Sequence, residues 1–407
     1  MSNRCRLGDF FEQRQEPGRA ELPVTSVTMN DGLVLRESME RRLESALRPD
    51  EHLLVKRGDI AYNMMRMWQG ACGLATSDGI ISPAYVVLAP KAGIDSRFAY
   101  HWFKSARMIY LFWAYSHGLT EDRLRLYFDE FSEIPITPPP LETQRRIIAV
   151  LDPWDNAIHL ADRLVTALQS NYRSELERLV CAAGSHSSRI DEICKVNVRS
   201  LSSKTDPNFE FDYFDIASAE DGTEQDFSGR QSFGTAPSRA RRMVANEGVV
   251  YSTVRPLLRR LFIARRRDDA VYSTGYSILE PRAECLVNYL KHALVSQVVE
   301  RQIFARLTGS GYPAINEKDL AEINIPLPSR QVQLKIVETL DALEKQQSLY
   351  SRYSQALRIQ KRGLAQQLFS RKWHLDHRFD SPDATPSGAD TASSNNAAPH
   401  SKKVTAR

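Results

Sequence analysis

Long apolar runs are missing from this chain. Apolar residues make up 42% of its 407 residues and are broken at short intervals by charge, whereas a bilayer crossing needs about 20 consecutive apolar residues. The N-terminal Met1-Ser2-Asn3-Arg4-Cys5-Arg6 lacks the apolar core of a secretory signal, so a cytosolic protein with no membrane partner is expected. Cysteine is scarce. Cys5, Cys72, Cys181, Cys194 and Cys285 are scattered and form no C-x-x-C pair, which argues against both a zinc ribbon and a disulfide framework. Catalytic signatures are absent too: no G-x-x-x-x-G-K-[ST] phosphate loop, no G-x-G-x-x-G, no H-E-x-x-H and no G-x-S-x-G elbow. His101 and His292 have no serine or cysteine nucleophile beside them. They and His117 read as satisfied structural groups. No catalytic residue and no metal site is expected, which favours a binding protein.

What is present is a repeat. Ser82-Pro83-Ala84-Tyr85-Val86-Val87-Leu88-Ala89-Pro90 returns as Ser273-Thr274-Gly275-Tyr276-Ser277-Ile278-Leu279-Glu280-Pro281. Glu133-Ile134, Gln144, Ile147 and Leu151-Asp152 return as Glu322-Ile323, Gln333, Ile336 and Leu340-Asp341. Asn30-Asp31-Gly32 matches Glu220-Asp221-Gly222, Gly58 matches Gly248, and His101 matches His292, all 189 to 191 residues apart. That period is far longer than a solenoid unit, so each copy is a domain with its connector. Two similar halves favour pseudo-symmetry and suit a bipartite target.

Each copy opens with a mixed domain. Gly58–Tyr62, Tyr85–Leu88, Gly248–Tyr251 and Tyr276–Leu279 read as strands, and 97–115 and 286–307 read as helical stretches. A proline-rich stop follows (Pro135 and Pro138-Pro139-Pro140; Pro326 and Pro328), and after it a heptad pattern begins. The first seam is Ile147, Leu151, Trp154, Ile158, Ala161, Val165, Leu168, Tyr172 and Leu179, with a polar Glu175. The second is Ile336, Leu340, Leu343, Gln347, Tyr350, Ser354, Leu357, Lys361, Leu364 and Leu368. Spacings of three and four mark a coiled-coil seam, and about 40 residues give a helix of roughly 60 Å. The expected partner for each helix is the other, packed antiparallel. Gln347, Ser354 and Lys361 are placed to fix register or to face another subunit. Pro153 should kink the first helix unless the helix starts there.

The expected fold is α+β: two similar mixed α/β domains, 1–140 and 184–329, separated by two long helices, 141–183 and 330–371, that form an antiparallel coiled coil with pseudo-two-fold symmetry. Residues 372–407, rich in Ser, Ala, Asn, Pro and Thr, read as a disordered tail.

Net charge is only +4, so the distribution of charge matters more than its sum. In copy two, Arg239, Arg241 and Arg242 precede the strand at Gly248, and Arg255, Arg259 and Arg260 follow it. Arginine pairs with phosphates and grips guanine through O6 and N7. In copy one the matching region carries Lys56, Arg57, Asn63, Arg66 and Gln69, and Asn and Gln can hold adenine through N6 and N7. These residues are the expected DNA contacts. The small-residue turns Ser116-His117-Gly118 and Thr308-Gly309-Ser310-Gly311 are a second candidate pair for close approach to a backbone.

Two motifs carry a family resemblance. The paired P-x-x-x-x-Q-x-x-I helix entries stand as Pro139-Pro140-Leu141-Glu142-Thr143-Gln144-Arg145-Arg146-Ile147 and Pro328-Ser329-Arg330-Gln331-Val332-Gln333-Leu334-Lys335-Ile336. With Gly58-Asp59-Ile60-Ala61, and over about residues 5 to 371, the layout resembles the specificity (S) subunit of type I restriction-modification systems. Copy two departs from the second motif with Gly248-Val249-Val250. Asp152-Pro153-Trp154 resembles the D-P-P-[YFW] loop of amino-methyltransferases, but it lacks the second proline and lies in the heptad seam, so it reads as structural. The resemblance implies two target-recognition domains, each reading half of an asymmetric, interrupted double-stranded DNA site. It implies helices that space the half-sites and dock modification (methyltransferase) subunits, with restriction (motor-nuclease) subunits joining. S-adenosylmethionine, ATP and magnesium would belong to those partners, and the chain itself would carry no cofactor. The rival reading is a protein-interaction scaffold built from two repeats.

Overall fold

The computed structural model describes residues 5–29, 31–38, 47–182, 186–216, 229–309 and 311–370. The expected tail at 372–407, the anchor Glu220-Asp221-Gly222, Asn30 and Ser310 lie outside the described residues.

Each repeat builds a four-stranded antiparallel sheet with the same strand order. In the first, the strands Phe11–Gln13, Tyr85–Pro90, Ile60–Asn63 and Cys72–Leu74 are neighbours in that order. In the second the order is Cys194–Val196, Tyr276–Pro281, Glu247–Ser252 and Leu261–Arg265. The matching central strands pair in equivalent register, Ile60 opposite Leu88 and Val249 opposite Leu279. A short strand at the start of each domain, Cys5–Arg6 or Ser187–Arg189, pairs with the proline-bearing strand that ends it, Pro135–Ile136 or Asn324–Pro326.

Outside this shared frame the domains differ. The first adds two hairpin-like pairs, Thr25–Thr28 with Gly32–Leu35 and Leu53–Val55 with Gly79–Ile81. The second adds a five-stranded sheet ordered Arg199–Ser200, Ala240–Met243, Ala270–Ser273, Glu210–Phe214 and Arg230–Ser232.

The helical stretch expected at 97–115 is two helices, Ser96–Phe103 and Ala106–Ala114, and that at 286–307 is Val287–Ala293 and Gln297–Phe304. Each breaks at a buried serine that N-caps the second helix, Ser105 or Ser296. Serine competes with the helix for backbone bonds: Ser105 Oγ accepts from Met108 N, while Ser296 Oγ donates to the carbonyl of Ala293. The heptad helices run Leu141–Ala182 and Arg330–Phe369. Pro153 lies inside the first, which continues through it. Its ring is exposed, and the bond it cannot donate is the one the carbonyl of Ala149 would have accepted.

The chain divides into two compact units, 1–158 with 356–407, and 159–355. Each unit holds one domain, a part of the first long helix and a part of the second. In the first unit, Ile147, Ile148 and Leu151 from the start of one helix share a core with Leu364, Ala365, Leu368 and Phe369 from the end of the other. In the second unit, Leu176 and Val180 share a core with Ile336 and Leu340. Start meets end in both, which is antiparallel packing.

Ile147, Leu151, Ile158, Ile336, Leu340, Leu357 and Leu368 are buried, whereas Val165, Leu168, Leu343 and Leu364 are half-buried. Tyr350, expected in the seam, is exposed. The polar seam positions find acids on the first helix. Ser354 Oγ donates to Asp162 at 2.5 Å, and Lys361 pairs with Asp155. Burial holds the Lys361 ammonium below its usual range despite that carboxylate.

The glutamine of each helix entry is fully buried. Gln144 accepts from Asp95 N at 2.9 Å and donates to the carbonyls of Gly93 and Pro139 at 3.0 and 2.8 Å. Gln333 accepts from Leu286 N and donates to the carbonyls of Glu284 and Pro328, all at 2.9 Å. One buried amide thus serves three backbone groups, one N–H and two carbonyls, around each helix entry. A second joint recurs beside it. His101 Nε2 faces Asp152 at 3.4 Å, and His292 Nε2 faces Asp341 at 2.8 Å.

Candidate nucleic-acid interface

The five polar residues expected to act together in the first domain fall at opposite ends of the strand Ile60–Asn63, which spans about 13 Å at 3.3 Å per residue. Lys56 and Arg57 precede it. Lys56 Nζ donates to Glu16 at 2.9 Å, in a network where Arg14 pairs with the buried Asp59 at 2.7 Å. That buried pair explains the Gly-Asp motif. Gly58 takes φ +92, and Asp59 then accepts from Lys56 N. Arg57 is an exposed turn residue whose N–H donates to Asp78.

Asn63 ends the strand, and Arg66 and Gln69 follow it in the turn beyond. Asn63 Oδ1 accepts from Met65 N at 2.9 Å, and Arg66 Nη1 donates to Gln69 Oε1 at 3.1 Å. Trp68 Nε1 closes the turn on the carbonyl of Met65. The small-residue turn comes alongside: His117 and Arg125 exchange backbone bonds, and Leu126 N donates to the carbonyl of Met64. The tip of the assembled loop is Met65, 47% exposed.

In the second domain, the turn after Glu247–Ser252 has the same neighbours. Arg255 N donates to Pro313 O at 2.7 Å and Ile315 N to Thr253 O at 3.0 Å, so the 308–314 loop flanks the strand end just as 117–125 does in the first domain.

The six arginines differ in their engagements. Arg239 pairs with Asp215 at 2.6 Å, and Arg260 donates to the neighbouring carbonyl of Ile216, so these two meet at one segment. Arg241 and Arg242 are adjacent in a strand whose register shifts between Ala240 and Arg242. Arg241 covers the Phe233 ring, and Arg242 pairs with Glu317. Arg259 makes a two-pronged pair with Glu300 at 2.6 and 2.8 Å, which raises its guanidinium above its usual value. Arg255 has no carboxylate partner among the described residues. Its exposed guanidinium lies 4.4 Å from the centroid of the Tyr312 ring. A cation over an aromatic face, beside a strand end, can present both a charge and a stacking surface to nucleic acid.

Sequence reasoning did not single out Tyr312, Met65, Leu257 or Leu258. Tyr312 is 71% exposed, and Leu257 and Leu258 stand at 41% and 55% on the 3-10 turn Pro256–Leu258. An aromatic directly after Gly309-Ser310-Gly311 was the available signal for the first.

Two histidine clusters recur at the repeat offset, His101 with Asp152 and Asp155, and His292 with Asp341 and Glu344, and in each the potential ligand atoms lie within 4.8 Å of one another. Asp155 and Asp152 also meet Lys361 and Arg97, while Glu344 and Asp341 also meet Lys291 and Asn288. Hydrogen bonding from His292 holds the Asp341 carboxyl below its ordinary 3.8. Among the described residues, no helix is long and apolar enough to cross a membrane.

A family model described as type I restriction modification DNA specificity domain matches residues 52–169 and 184–357, one stretch per repeat and more than half of the chain. The HindI type I restriction enzyme specificity subunit of Haemophilus influenzae is 25% identical over 144 residues, 34% of this chain. The match spans 30% of that relative's length. Among solved structures, the S subunit of a type I restriction-modification system from M. genitalium superposes with a TM-score of 0.53 at 18% identity, covering 91% of this chain and 97% of that one. A chain from a structural study of assembly and conformational transition in the type I R-M system gives 0.51 at 18% identity, covering 89% and 96%. At such identities the likeness speaks for the fold.

Proposed function

The chain belongs to the type I restriction modification DNA specificity domain family, a family of specificity components rather than catalytic ones, and from that premise we propose that each of its repeats reads one half of a bipartite, asymmetric double-stranded DNA site. The observation that carries this reading is the contrast within the pair. The two domains share one sheet order and one strand-end loop arrangement, yet add unlike outer sheets and unlike loop residues. A common frame with different readers suits a target whose halves differ.

Contacts to phosphates position the complex and contacts to base edges specify it. Arg255 with Tyr312 in the second domain, and Asn63, Arg66 and Gln69 in the first, are the base-reading candidates. Arg260, whose side chain donates to the carbonyl of Ile216, fits phosphate contact, and Arg239, more than half exposed, would join it by exchanging Asp215 for a phosphate. The long helices set the distance between half-sites, as spacing follows from domain separation, and they offer the docking surface for modification subunits, to which restriction subunits add. S-adenosylmethionine, ATP and magnesium act on those partners, in the cytoplasm where the DNA is.

Long-read methylation mapping tests this in a host carrying the chain with its candidate methyltransferase partner. The expected result is a new interrupted, asymmetric adenine-methylated motif. A complex that forms and yields no new motif, with partner binding indifferent to DNA and to salt, would favour the scaffold reading, because DNA binding weakens steeply with salt as counterions are released.

A further inference from the structure

The turn Arg255–Arg259 is held open in an unusual way. Both flanking arginines take left-handed backbone angles, φ +50 and +56, which side chains other than glycine rarely adopt. Such strain persists only where surroundings over-determine it, and it gathers at functional sites. Here the surroundings are explicit. Arg255 N is tied to Pro313 O, Arg259 N to Pro256 O, and the Arg259 side chain to Glu300 by two bonds. Pro256 is buried at the base, and the turn packs against the helix Gln297–Phe304. This rigid support lifts two leucines, Leu257 and Leu258, into solvent between cations. In the first domain the equivalent strand-end loop lifts Met65, followed by Arg66 and braced by Trp68.

The strained turn holds these leucines outward. An apolar tip beside the exposed Arg255 guanidinium has a complementary partner in duplex DNA, whose base edges take the cation while the stacked bases offer an apolar step. Apolar wedges of Leu, Met or Pro inserted between base steps unstack and kink a duplex by about 20–90°. We propose that Leu257 and Leu258 form such a wedge, that Met65 is its counterpart in the first domain, and that each domain bends its half-site on binding. Part of the specificity then comes from deformability, flexible pyrimidine–purine steps being preferred where the wedge enters.

This inference rests on the DNA reading, and the test separates the two. The complex of the full chain with its methyltransferase partner is titrated onto a duplex bearing the mapped motif. Dyes at the ends report bending. 2-Aminopurine is placed at successive steps of the second domain's half-site, away from the methylated adenine. Wild type should bend the duplex and raise fluorescence several-fold at one step. Leu257→Ala/Leu258→Ala should lose the step-specific rise and the bend at that half-site. Its salt slope and its preference at the other half-site should be unchanged, and affinity should fall about tenfold. Leu258→Met, which keeps an apolar tip, should retain both signals, and because both leucines are exposed the thermal midpoint should not move. Specific binding by wild type with every step stacked, or an unchanged bend in the double alanine variant, would overturn the wedge alone. Wild type that shows neither sequence preference nor salt dependence on any duplex would remove the DNA reading and the wedge with it.

Discussion

At the residue scale, identical residue types have separate fates according to what surrounds them. Arg255 and Arg259 flank one turn, but one lies over the Tyr312 ring and the other is clamped by Glu300. Arg255→Ala should therefore relax discrimination at one half-site by about 1–3 kcal/mol, the range of a good bidentate base contact, with the other half-site unaffected. Binding to a panel of single-base variants of the mapped motif measures this, and an equal loss on every sequence would make Arg255 a phosphate contact. The pair Gly58 and Gly248 makes the same point. Gly58 is needed for its positive φ, whereas a Cβ on Gly248 would meet the carbonyl of Leu279 at 2.9 Å. Both were legible as anchors, but not as different physical requirements, because neither a dihedral nor a neighbouring strand is written in the local sequence. Asp341 gives a pH signature. Its carboxyl is held below 3.8, so its contribution to stability is fully present above that value and is lost as pH falls through the folded pKa. Asp341→Asn should destabilise the second unit most at neutral pH, the difference from wild type shrinking in acid. Chemical denaturation at a series of pH values follows it.

At the element scale, the helix entries and the seam show how much a motif can carry. The glutamine three residues into each helix stands in the sequence as a recurring letter, and in the structure it is the joint that closes the loop before the domain helix. Gln333→Leu would remove three hydrogen bonds made by a fully buried side chain, at about 1 kcal/mol each, so the denaturation midpoint of the second unit should drop well beyond that of a surface substitution. The seam was readable from spacing alone, and its uneven burial was not. Leu151→Ala, at a fully buried position, should cost about 2–5 kcal/mol. Leu343→Ala, at a half-buried one, should cost clearly less by the same measurement. Ser354 and Lys361 looked like weak points in a heptad pattern. Their acidic partners on the first helix turn them into register marks, since a slip of either helix would break both pairs at once.

At the scale of the whole molecule, the proposed spacing role predicts a length dependence. Removing one heptad from each long helix shortens it by about 10.5 Å, so the unspecified gap in the methylated motif should shrink by about 3 base pairs. An unchanged gap in methylation mapping would refute the ruler. The sequence by itself determined the duplication, the alternation of mixed domains with long helices, and the want of catalytic motifs, because periodicity, proline stops and residue types are local properties. The tertiary structure decided the rest. It set which arginines are spent on Asp215, Glu300 and Glu317, split the five polar residues of the first domain between two strand ends, and brought the 308–314 loop beside Arg255. The physical reason is that a charge's availability depends on partners tens of residues away, and only the packed sheet brings those partners within hydrogen-bonding distance.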